Sequence, residues 1–195
     1  MNSLFVLLFL GSAIVLQLNA APMGGNSMTN GQMTIDPLVA LYNLPNLDQQ
    51  LNQNDSNSLV QVSRYCSNSS VSQCHQEAMN WYNQLNPQDQ QVAQNWAMNQ
   101  MSTTQMVQQT TMQVLNQNNI SQAVKSAIQN MQQNLSNPQL VPSVMQSINS
   151  LSSSDKSQLE QVLRQIYGNN LIDFVMNMQK NPNSVPFYSM IMQNQ

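Results

Sequence analysis

The chain has 195 residues and a formal net charge of −3, and only 7% of it is charged against about 25% in an average globular protein. So weak a field offers nothing to draw nucleic acid or an anionic lipid surface, and both are excluded as main partners. Asn and Gln together supply about 30% of the residues, so neutral amides must wet the surface that charge ordinarily wets.

Residues 1–20, MNSLFVLLFLGSAIVLQLNA, hold an apolar run from Leu4 to Leu18 that ends at Leu18-Asn19-Ala20. The run is shorter than the ~20 residues a spanning helix requires, and its small-residue end fits a cleavage site. It is read as a signal peptide with Ala21 as the new N-terminus, with no membrane span after cleavage. Residues 21–35 mix Gly, Asn, Ser and Met without period and are read as a flexible arm.

From Asp36 a helical pattern begins. Asp36 is placed to cap, Pro37 to occupy the first turn, and Leu38, Leu41 and Tyr42 share one face. Pro45 is expected to interrupt this helix, leaving Leu47 and Leu51 to a second short piece. Cys66 and Cys74 form an even pair in a secreted chain. A disulfide between them would contribute roughly 2–3 kcal/mol by restricting the unfolded chain. Cys74, Ala78, Trp81 and Leu85 then recur at helical spacing, and Asn86-Pro87 with Asp89 opens the next helix.

Ser102-Thr103-Thr104-Gln105 has the pattern of a capping box and is expected to start a separate helix. Further stripes are Ile120, Val124, Ile128, Met131 and Leu135, then Val144, Met145 and Ile148 after Pro142. Leu159, Val162, Leu163, Ile166 and Tyr167 form another, closed by Gly168, and Leu171, Ile172, Val175 and Met176 form the last. Residues 181–195 lack a helical period and are expected to form a flexible tail. The reading is all-α: a single bundle of about six to eight short helices over residues 36–180, with a flexible N-terminal arm and C-terminal tail.

Leu, Ile, Val and Phe make up only about 21% of the mature chain, near the ~20% associated with disorder. Fourteen mature methionines supply the missing apolar volume, because the thioether packs adaptably. Met98, Met106, Met112, Met131 and Met145 are read as an ordinary methionine core or, as the alternative, as the lining of an interior open to an apolar, lipid-like ligand. Glycosylation sequons stand at Asn54, Asn68, Asn119 and Asn134. His75 is the only histidine, with no partners at metal-ligand spacing, so no metal, cofactor or catalytic residue is assigned. Trp81, Tyr82 and Trp96 are read as core aromatics, or, if exposed, as a stacking platform for sugar. With few titrating groups, stability is expected to be nearly flat between about pH 5 and 8.

Three segments resemble the nematode SXP/RAL family of small secreted helical antigens. They are the Trp81–Leu85 helix with Leu85-Asn86-Pro87-Gln88-Asp89-Gln90, the segment starting at Ser102, and Leu151 followed by Leu159-Glu160-x-x-Leu163. The resemblance covers Cys74 to Gly168, about half of the chain, which is rich in Gln and Asn where that family is rich in Lys and Glu. It implies a secreted helical protein and carries over no catalytic residue. The functional expectation is a secreted, non-enzymatic helical protein binding a protein partner or an apolar small molecule. The alternative is a structural or storage component of an extracellular material that self-associates through its amides.

Overall fold

The structure is a computed structural model that describes residues 35–67, 69, 71–135 and 140–192. The chain order is α1 (Pro37–Gln50), α2 (Gln53–Ser67), α3 (Val71–Gln84), α4 (Pro87–Leu115), α5 (Gln122–Asn134), α6 (Val141–Asn149), α7 (Ser153–Tyr167), α8 (Asn169–Lys180), a 3₁₀ turn (Pro182–Ser184) and α9 (Pro186–Met192). There is no strand among the described residues, and the all-α expectation holds. None of the described helices is long and apolar enough to cross a membrane. The signal peptide and residues 21–34 of the arm lie outside the described residues, while Ile35 at its end is buried in the core.

Local chemistry sets the helix ends. The Asp36 carboxylate accepts from the N–H groups of Leu38 and Val39 at 2.9 and 3.3 Å, and Pro37 needs no partner at the first turn. Asn52 caps α2 through Asn54 and Asp55, at 2.9 and 3.1 Å. Asn86 caps α4 through Gln88 and Asp89, at 3.0 and 3.1 Å. Gly168 ends α7 at φ +82°, a conformation that side chains rarely adopt.

Three expectations are corrected. First, α1 runs through Pro45 without a break. Proline has no N–H, so the carbonyl of Leu41, four residues earlier, loses its helical donor. The Tyr188 hydroxyl donates to that carbonyl instead, and the Trp96 indole N–H donates to the next turn at the Asn43 carbonyl, 3.0 Å away.

Second, Ser102–Gln105 starts no helix: α4 is one helix of 29 residues. Its threonines bond within the helix rather than capping it. Thr103, Thr110 and Thr111 donate to the carbonyls of Asn99, Met106 and Val107 at 3.0, 2.9 and 2.8 Å. A hydroxyl satisfied four residues back leaves a helix unbroken. Third, residues 182–192 are not a loose tail. Phe187, Tyr188 and Ile191 are fully or almost fully buried, α9 packs on α2, and Arg64 donates from Nε and Nη2 to the Met190 carbonyl at 3.0 and 2.6 Å. Residues 193–195 lie outside the described residues.

The core centres on α1, whose Val39, Ala40, Leu41, Leu44 and Leu47 are all at 0% exposure. It packs on α4 and α8, while α7 joins α4, α5 and α8, and α2 pairs with α3. At one end of that pair the sulfurs of Cys66 and Cys74 stand at bonding distance, as the sequence suggested. Trp81, Tyr82 and Trp96 are buried, so the core reading of these rings holds and no exposed sugar platform forms from them.

Candidate functional site

Amides and hydroxyls do most of the work that ion pairs do elsewhere. Among the described residues, side-chain ion pairs gather on Arg164, which meets Glu160 at 3.0 Å and Asp173 at 2.7 Å. The starts of α2 and α4 are joined by two carboxylates and two carboxamides. The Asn86 amide donates to Asp55 at 3.0 Å and to Asp89 at 2.9 Å. The Asn52 amide likewise donates to both Asp55 and Asp89. Burial pushes the Asp89 carboxyl up, but its interaction with the Asp55 carboxyl, which holds the proton more readily of the two, and the hydrogen bonds donated by Asn52 and Asn86 outweigh it and hold Asp89 below the ordinary range. Burial and the facing Asp89 raise Asp55. The four side chains lock the two helix ends together, with Oδ2 of each aspartate accepting from both amides.

A second node joins α1, α4 and α7. Asp36 Oδ2 accepts from the Tyr167 hydroxyl at 2.8 Å, and the Asp36 N–H donates to the Thr104 hydroxyl oxygen at 2.9 Å. Desolvation pushes the Asp36 carboxyl above its ordinary value against the hydrogen bonds that oppose it. Burial and the facing carboxylate raise the Tyr167 phenol in turn. Beside this node lies an open depression of about 560 Å³ lined by residues that include Tyr42, Asn43, Thr103, Tyr167 and Asn170. A second, of about 420 Å³, includes Phe174, Asn177, Lys180 and Val185. Both are open to solvent, and each mixes amide, aromatic and aliphatic residues in its lining. The sequence pattern did not reveal the Asp36–Tyr167 contact, because the two residues are 131 positions apart.

The expected methionine-lined interior is corrected. Met98, Met106 and Met112 are 45%, 58% and 60% exposed. Only Met131 is in the core, and Met145 packs half-buried at its edge. The inward stripe of α4 is Trp96, Gln100, Thr104, Val107, Thr111 and Val114, all buried. The methionines fall out of phase with it. Met98, Ser102, Gln105, Gln109 and Met112 follow at steps of four and three residues, forming one outward stripe about 21 Å long with Met106 beside it. No charged residue occurs between Asp89 and Lys125, so this face is neutral along its length.

Of the sequon asparagines, Asn54 and Asn119 are exposed, while Asn134 is half-buried and its amide donates to Asn130. Asn68 and the side chain of His75 lie outside the described residues. Among the described residues no three His, Cys, Asp or Glu side chains converge as metal ligands.

No protein-family model, no curated protein and no solved structure matches the chain. The likeness to the SXP/RAL family rests on the segments quoted above.

Proposed function

We propose that the mature chain is a secreted, non-catalytic protein that acts by protein–protein contact through the outward face of α4, and that its partner there is a second copy of itself. The observation that carries this reading is the exposure of Met98, Met106 and Met112 together on a helix face without charge. Exposed thioethers gain by leaving water and adapt to the surface they meet. Amides both donate and accept, so the exposed Gln109 of one copy can pair with that of another with no like charges opposed. An apolar small molecule fits the same geometry poorly, since Met98, Met106 and Met112, expected to help enclose it, face outward and both depressions are open to solvent.

A patch confined to one helix pairs with itself about a two-fold axis and closes as a dimer. Light scattering on the mature protein from about 1 to about 100 µM is expected to show its mass rising from one chain to two. A constant one-chain mass would contradict self-pairing and leave the face to a different protein. Growth beyond two chains would favour an extracellular material.

Secretion and glycosylation belong to the same reading. Glycopeptide mass spectrometry of protein secreted by a eukaryotic host is expected to find an N-terminus at Ala21 and glycans on the exposed Asn54 and Asn119. Both sites bare, or an uncleaved leader, would argue against that part.

A further inference from the structure

The same face carries the three most exposed methionines of the described residues, ahead of Met190 at 40%. Both cysteines of the chain are joined to each other, so no thiol competes for a soft oxidant. Thioether sulfur is then the most readily oxidised group, and its reactivity follows exposure. Met131 and Met178 are 8% and 1% exposed. The Met178 sulfur also has the Ser184 hydroxyl 3.8 Å away, and the Met176 sulfur has Arg164 Nη2 at 3.6 Å. Met98, Met106 and Met112, by contrast, have between about half and three fifths of their surface in water.

From this distribution we infer that Met98, Met106 and Met112 form an oxidation site for peroxide-class oxidants, and that their conversion to sulfoxides separates the paired chains. The second half rests on the α4 pairing proposed above. In each step the thioether sulfur attacks one peroxide oxygen, the O–O bond breaks and an S–O bond forms. Proton transfer then releases water from hydrogen peroxide. Sulfur loses two electrons and the peroxide gains them. The product is polar and chiral, so a face that gained by leaving water now prefers to keep it. The two methionine sulfoxide reductases, one for each epimer, return the sulfoxide to the thioether: a dithiol reductant gives two electrons and becomes a disulfide while the oxygen leaves as water, which makes the site a switch.

The test treats the folded, disulfide-bonded mature protein with hydrogen peroxide and reads each methionine by peptide mass spectrometry alongside the mass in solution. Initial oxidation at Met98, Met106 and Met112 is expected to exceed that at Met131 and Met178 by about tenfold or more. The two-chain mass should fall to one chain in step with it, and treatment with both reductases should restore it. Oxidation of Met131 or Met178 at the same rate in the folded protein would overturn the site. A two-chain mass that persists with all three α4 methionines oxidised would overturn the switch. If the untreated protein is already one chain at every concentration, the pairing and its release both fail, while the order of oxidation still decides whether the site exists.

Discussion

Tyr188→Ala is expected to lower the unfolding free energy by about 3–5 kcal/mol, the range for deleting a buried aromatic ring. The ring is at 0% exposure and sits between Phe174 and Phe187, with centroids 6.2 and 5.2 Å away. Tyr188→Phe separates the hydroxyl from the ring. It leaves the Leu41 carbonyl without a donor, because Pro45 has no N–H to offer, and should cost about 1–3 kcal/mol. Pairing it with Pro45→Ala is more telling. Alanine restores an N–H four residues after Leu41, so Tyr188→Phe should cost clearly less in that background, a coupling that denaturant titrations of the four proteins would resolve. Equal costs in both backgrounds would show that the tyrosine does not stand in for the missing helical donor.

Asp36→Ala should lower stability by about 2–3 kcal/mol, since it removes the α1 cap and orphans the Tyr167 hydroxyl. Asp36→Asn should behave differently. Asparagine caps as well as aspartate does, and its amide can donate to the tyrosine oxygen, while the buried charge is gone. The sign with pH follows from linkage. Burial raises the folded Asp36 carboxyl above its unfolded value, so the native state holds that proton more tightly. The favourable contribution is complete below the unfolded value near 3.8 and is lost as pH rises through the folded one. Asp36 thus departs from the nearly flat profile expected from composition, and Asp48 and Asp55 are shifted in the same direction. Asp89 and Asp155 are shifted downward, so their contributions run the opposite way, present above the unfolded value and lost on acidification. The difference between Asp36→Asn and wild type isolates Asp36. Relative to wild type, the variant should gain stability as pH rises, and a pH-independent difference would contradict the assigned burial effect.

Much of the helical order was legible because its signals are local. Asp36-Pro37 and Asn86-Pro87 announce helix starts, Gly168 announces a stop, and the Cys74–Leu85 and Ile120–Leu135 stripes show their period in the sequence alone. Where the reading failed, the deciding partner was distant. Pro45 looks like a break until Tyr188, 147 residues from Leu41, supplies the donor. The segment around Phe187 has too few residues to display a period, so its burial depends on α2 and on the aromatic neighbours it meets.

The methionines failed for another reason. Counting them as apolar placed them inside, but in α4 the inward positions belong to Trp96, Val107 and Val114 together with Gln100, Thr104 and Thr111. Phase was the usable signal. Met98 and Met112 are fourteen residues apart, in step with each other and out of step with Trp96. Asp36 and Tyr167 each had a local signal, as a cap and as the end of a stripe, but nothing local joins two residues 131 positions apart.

What most directly tests the account is the mass in solution of Met106→Glu/Met112→Glu beside wild type. Both positions are exposed, so the helical circular dichroism should be unchanged. Sedimentation equilibrium should give two chains for wild type and one for the variant, whose carboxylates would oppose each other across the pair. The same mass for both proteins would contradict the claim that the outward face of α4 is where this protein makes its contact.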